Sequence, residues 1–120
     1  MRIEILEFQA QVCKTFSNAK RLEILNFLKA GERTVSDITT GLRTPKANTS
    51  QHLRVMRMMG ILKTRRDGRN IFYGIANEKL IKACSLMQDA LAQIMDGHSQ
   101  RVAVESKLLV DEAFSEAKVR

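Results

Sequence analysis

The chain reads as a mainly α-helical protein with one small β-hairpin, in the order ααααββα. Three observations predict this. Apolar residues recur at helical spacing in five separate segments, Thr44-Pro45 has the chemistry of a helix start, and the pattern switches to period two around Asp67-Gly68. The length of 120 residues suits one domain with one core. Residues 1–97 are expected to form it, with 98–120 as a C-terminal extension that adds a helix or a tail.

The first helix covers residues 2–15, with Ile5, Phe8 and Val12 on one stripe and Leu6, Ala10 and Cys13 on another. In "SNAKRLEILNFLKAG", Ser17 or Asn18 is the cap, Leu22, Leu25 and Leu28 point inward, and Gly31 ends the element. Thr34 opens a short third helix with Val35, Ile38 and Leu42 inward, and Asp37 suits its electropositive first turn. A tight turn leads to Thr44, expected to cap the fourth helix with its hydroxyl, followed by Pro45 at the one helical position that tolerates proline. That helix runs to about Met59. Thr49, Leu53, Met56 and Gly60 share one face, and Lys46, Ser50, Arg54 and Arg57 lie beside it. Met56, Met58 and Met59 are expected in the core and at its margin.

Asp67-Gly68 reads as a two-residue hairpin turn. This register places Leu62 across from Tyr73, Thr64 across from Ile71 and Arg66 across from Arg69, a like-charge pair that an intervening anion would relieve. A last helix begins near Asn77. Leu80, Cys84, Met87, Leu91 and Ile94 form a seam for packing against another helix, and an isolated chain would expose it as an apolar strip.

The net charge of +7 is concentrated in one stretch. Residues 43–69 hold eight basic side chains and one acidic one, whereas residues 1–42 hold six and five and residues 70–120 hold six and seven. A block of this kind attracts a polyanion. It coincides with a helix, a tight turn, a second helix and a hairpin, the pattern of a helix-turn-helix with a β-wing. The major groove of B-DNA admits one α-helix, which reads base edges from its N-terminal part. Candidate contacts on and before that helix are Thr44, Lys46, Ala47, Ser50, Gln51 and Arg54. Gln bonds an adenine edge, Ser bonds any edge, Ala packs on a thymine methyl, and Lys reaches guanine or phosphate. Arg66 and Arg69 at the wing tip suit the backbone or the minor groove. His52, off the core face, suits a helix cap or a phosphate contact.

The segments "FSNAKRLEILNFLKAGERTVSDI", "KANTSQHLRVMRMMGIL" and "RRDGRNIFYGIAN" resemble the ArsR–SmtB family of small dimeric winged-helix repressors over about residues 5–95. The resemblance implies a homodimer built through the first and last helices. It also implies one reading helix and one wing per half-site of a near-palindromic operator, and repression relieved by an inducer. By position it puts base and phosphate contacts on Lys46, Ala47, Ser50 and Gln51, and wing contacts on Arg66 and Arg69. Many metal sensors of that family carry Cys-x-Cys at the third helix, where this chain reads "TVSDI"; others bind zinc on the last helix, where this chain has Asp89 and then only His98, past Gly97. No metal site and no cofactor are therefore expected.

Cys13 and Cys84 are 71 positions apart in a chain whose start, with Glu4 and Glu7, does not read as a signal peptide, so a reducing cytoplasm and no membrane span are expected. The two thiols are either small packing residues or, if the first and last helices meet, a redox or persulfide switch or a set of four soft ligands per dimer answering a small inducer or oxidant. With two His, two Cys, no phosphate loop and no nucleophile elbow, nothing suggests an enzyme. The alternatives are a winged-helix protein-interaction module without nucleic acid, expected to show mixed charge or apolar anchors on its reading face, and an RNA binder, expected to show surface aromatics.

Overall fold

A computed structural model of the chain describes residues 2–97. The expectations for residues 98–120, His98 among them, lie outside the described residues. Five helices and three strands follow in the order α1 (Ile3–Phe16), α2 (Ala19–Leu28), β1 (Arg33–Thr34), α3 (Val35–Leu42), α4 (Lys46–Met58), β2 (Leu62–Asp67), β3 (Asn70–Ile75) and α5 (Glu78–Gly97). The chain divides into two compact units, one up to Ile81 and one from Lys82 onward.

In the first unit, three caps define where helices begin. The Asn18 side chain accepts from the Arg21 backbone N–H at 3.1 Å, and the Asn77 side chain does the same for Leu80 at 3.2 Å. At α3, Thr34 accepts from the Asp37 N–H and the Asp37 carboxylate accepts from the Thr34 N–H, a reciprocal capping box. The end of α4 is a Schellman motif. Gly60 N–H bonds Arg57 O, Ile61 N–H bonds Met56 O, and Gly60 takes the left-handed φ of +79° that the motif requires. Ile61 and Met56 are both buried, so the motif also turns the chain from α4 into the wing.

Thr44 is a correction. Pro45 occupies the cap position and no side chain caps α4. Thr44 turns inward, 7% exposed, and its hydroxyl donates to Leu42 O at 3.3 Å, one of the carbonyls left over at the end of α3. Arg43, in left-handed conformation (φ 52°, ψ 43°), redirects the chain and brings this about.

The sheet is antiparallel in the order β1-β3-β2. The strand β1 is absent from the sequence reading, because two residues carry no periodicity; it exists by pairing Arg33 with Tyr73 and Thr34 with Phe72. The hairpin register is a second correction. Leu62 pairs with Ile75, Thr64 with Tyr73, Arg66 with Ile71 and Asp67 with Asn70. The turn is therefore Gly68-Arg69 rather than Asp67-Gly68. Only Gly68 has positive φ (+63°), the pattern of a type II′ turn with glycine first. Asp67 is thereby spared a left-handed backbone. The register moves by two residues, so every side chain keeps the face that alternation assigned to it.

The core of this unit joins Ile24, Leu25 and Leu28 of α2, Ile38 of α3, Leu53 and Met56 of α4, with Val12, Ile61, Leu62 and Ile81. In the second unit, α5 continues to Gly97 and leaves Leu86, Met87, Leu91, Ile94 and Met95 exposed. On α1, Ile3, Ile5, Leu6 and Phe8 are exposed as well. No helix of the described residues is long and apolar enough to cross a membrane.

Candidate nucleic-acid interface

Helix α4 is divided sharply by environment. Thr49, Leu53 and Met56 are fully buried, and the Thr49 hydroxyl donates to Pro45 O at 3.2 Å, so the inner face holds no unmet polar group. The opposite side exposes Lys46, Ala47, Ser50, Gln51, Arg54 and Arg57. Among the described residues none of its three arginine and lysine side chains makes an ion pair, and the helix contains no acid. Of the methionines, Met56 is core and Met59 is half-buried, but Met58 is 76% exposed, which the expected core margin did not include.

Thr44, in the turn before α4, differs from the candidates on the helix, being buried with its hydroxyl engaged. On the wing, Arg66 and Arg69 are exposed and unpaired among the described residues, but they do not oppose each other: Arg66 lies across from Ile71 and Arg69 sits in the turn. The expected like-charge pair at the tip therefore does not form. Arg65 plays a different part. Its guanidinium donates to Glu32 at 2.8 Å, lies 4.0 Å from Asp67 and stacks 4.8 Å over the Phe72 ring. This pair links β2 to the segment before β1, while the Arg65 side chain stays 54% exposed. Glu32 and Arg65 lie 33 positions apart, and no local pattern links them.

His52, expected to cap a helix or touch phosphate, is half-buried, and its Nδ1 accepts a hydrogen bond from Arg21 Nε at 3.1 Å. Burial, followed by the neighbouring cations Arg21 and Lys20, holds its pKa below the ordinary 6.5. Arg57, Lys63 and Arg43 are further exposed cations of the same stretch, absent from the candidate contacts. Arg57 follows Lys46, Ser50 and Arg54 at helical spacing, a signal sufficient to include it. Cys13 is exposed on α1, and Cys84 is half-buried on α5.

A buried α3–turn–α4 pair with a three-stranded wing is the winged helix-turn-helix arrangement. The description "Bacterial regulatory protein, arsR family" matches residues 18–64. The solution structure of the winged helix-turn-helix domain of Mb0332 from Mycobacterium bovis, described as homodimeric and as a possible ArsR-family regulator, superposes with a TM-score of 0.71 at 31% identity, covering 75% of this chain and 83% of that one. The chain belongs to the ArsR family. The transcriptional repressor PagR of Bacillus anthracis is 36% identical with a TM-score of 0.65, covering 72% of this chain and 99% of that one. The HTH-type transcriptional regulator Rv0324 of Mycobacterium tuberculosis is 33% identical over 100 residues. That match covers 83% of this chain but only 42% of Rv0324, so this ArsR-family chain spans less than half of that relative.

Proposed function

We propose that this ArsR-family protein is a homodimeric transcriptional repressor that reads a near-palindromic stretch of double-stranded DNA and is released by an inducer. One observation carries the reading: α4 buries Thr49, Leu53 and Met56 and offers solvent a flank of Lys46, Ala47, Ser50, Gln51, Arg54 and Arg57 with no acid on it. Gln51 and Ser50 supply base-edge bonds, Ala47 an apolar contact, and Lys46, Arg54, Arg66 and Arg69 the phosphate contacts. A protein-docking face would show mixed charge or apolar anchors, whereas this flank carries one sign of charge and a single large exposed apolar side chain, Met58, at its C-terminal end. The description of Mb0332 as homodimeric and of PagR as a repressor supports the same assembly and direction of control for this chain. The apolar residues exposed on α1 and on α5 give the second copy something to bury.

The experiment is a binding series on a duplex selected by the protein from a random-sequence pool. With about six to ten phosphates neutralised per dimer, log affinity should fall against log salt with a slope of about −5 to −9. A flat response would refute a DNA function. Gln51→Ala should cost about 1–3 kcal/mol and relax preference at one base pair. An equal loss on every sequence would remove its reading role.

For the release step, Cys13 on α1 and Cys84 on α5 are the candidate thiols. Exposure makes Cys13 accessible to an oxidant or a persulfide donor. Treatment with either should loosen the DNA complex of the native protein but not that of a Cys13→Ser/Cys84→Ser variant. A native complex that ignores both reagents leaves the two thiols as packing residues.

A further inference from the structure

Arg21 joins three helices. It lies in the first turn of α2, half-buried. Its Nη1 donates to Thr15 O, in the last turn of α1, at 3.2 Å. Its Nε donates to His52 Nδ1, on α4, at 3.1 Å. The carbonyls ending a helix lack partners within it, and a cation there is favoured by the helix dipole. A guanidinium is a donor only, so the bond to His52 exists only while Nδ1 keeps its lone pair and the ring proton sits on Nε2. His52 directly follows Gln51 and precedes the buried Leu53, on the border between the reading flank and the core.

We propose that Arg21 and His52 are positioning residues of the DNA reader: the Arg21 guanidinium, anchored on the end of α1, fixes the placement of α4 through a neutral His52 imidazole, so protonation of His52 releases the reading helix. This rests on the DNA function proposed above and adds a proton-sensitive support beneath it. Neither residue touches DNA in this scheme; both act through Gln51 and Ser50.

The charges around His52 make the coupling one-directional. From α2 it faces Arg21 and Lys20, with Lys20 held by Glu23 at 2.8 Å. From α1, Thr15 presents a carbonyl already bound by Arg21. Helix α4 itself contains no acid. An imidazolium here would set N–H against N–H beside two cations, Arg21 and Lys20. Base reading demands side-chain placement to about 0.5 Å, so loosening one contact at the root of Gln51 lowers discrimination before it lowers general attraction to phosphate.

The test therefore uses the ratio of affinities for the selected duplex and for a scrambled duplex of equal length, at constant salt. That ratio cancels the general rise in positive charge on acidification. As the pH falls from about 7.5 to beneath the folded pKa of His52, which lies below 6.5, the native ratio should fall by up to roughly ten-fold, the equivalent of one charged hydrogen bond. His52→Ala should have a reduced ratio already at the higher pH. His52→Asn, whose amide oxygen can accept from Arg21 without titrating, should restore most of the ratio and hold it constant across the range. Circular dichroism at each pH keeps loss of fold separate from loss of discrimination. Ring nitrogen NMR of the free protein should show the Nε2–H tautomer at His52. A native ratio that ignores pH, a parallel fall in His52→Asn, or the Nδ1–H tautomer would overturn the proposal. Salt-dependent binding with no preference for any duplex would remove base reading itself, and the positioning role with it.

Discussion

A methyl group added at Gly41 tests how α2 and α3 together set the turn into α4. A Cβ at this position would stand 2.6 Å from Phe27 Cζ and 2.8 Å from its Cε1. Carbon atoms in contact prefer about 3.5–4.0 Å, so the ring must retreat by roughly 1 Å. Phe27 is not free to do so cheaply, because it packs against the core and the Arg33 guanidinium lies over it at 5.9 Å. Overpacking of this kind costs about 1–3 kcal/mol. Against it stands the helix preference of Ala over Gly, about 1 kcal/mol in favour of the substitution. Gly41→Ala should therefore destabilise the native protein by about 0–2 kcal/mol. In a Phe27→Leu background, which removes the end of the ring, the same substitution should stabilise by up to about 1 kcal/mol. The assay is a double-mutant cycle by urea denaturation at fixed protomer concentration, with an expected coupling of about 1–3 kcal/mol. Equal effects in the two backgrounds would show that the ring is not what excludes a side chain, and the argument would fail.

Three more outcomes are expected, each read from the urea midpoint. The hydroxyl of Thr39 is buried without a hydrogen-bond partner, so the near-isosteric Thr39→Val should stabilise by about 1 kcal/mol, and a loss would mean that the hydroxyl is bonded after all. Arg43 holds a left-handed backbone at the α3 cap, so Arg43→Gly should stabilise by up to about 1 kcal/mol; a lower midpoint would mean that its side chain carries a contact. His52 has a folded pKa below its ordinary 6.5, so between those two values the unfolded chain binds more protons than the native one. Its contribution to stability is then complete above pH 6.5, declines as the pH falls below that value, and levels off beneath the folded pKa. His52→Asn should flatten this part of the profile, and an unchanged slope would place the titration elsewhere.

The legible parts of the fold were those encoded within a few residues of themselves. The spacing of Thr49, Leu53 and Met56 placed the inner face of α4, and Lys46, Ser50, Arg54 and Arg57 fell on its exposed side. Thr34 as the opening residue of α3 and Asp37 in its first turn follow from sequence, and the two form a capping box with both bonds. The errors lie where two local signals compete or where a partner comes from far away. Thr44-Pro45 has the chemistry of a helix start, but the left-handed Arg43 before it swings the threonine inward and leaves Pro45 at the cap. Asp67-Gly68 and Gly68-Arg69 are both plausible turns; the II′ form prevails, with glycine as its only left-handed residue. Within the candidate site, the bonds from Arg21 to His52 and from Arg65 to Glu32 span 31 and 33 positions, so no periodicity could reveal them.

The sequence by itself determined the helices, the existence of a hairpin and the sign of the charge on the exposed flank of α4. Each of these follows from hydrophobic period, cap chemistry or local composition, which act over a turn or two of chain. Tertiary structure alone decided β1, the hairpin register, the pairing of Arg65 with Glu32 and the seating of His52 beneath Arg21. Those features arise from groups brought within hydrogen-bonding distance by the packing of separate elements, and a hydrogen bond about 3 Å long depends on that packing rather than on separation along the chain.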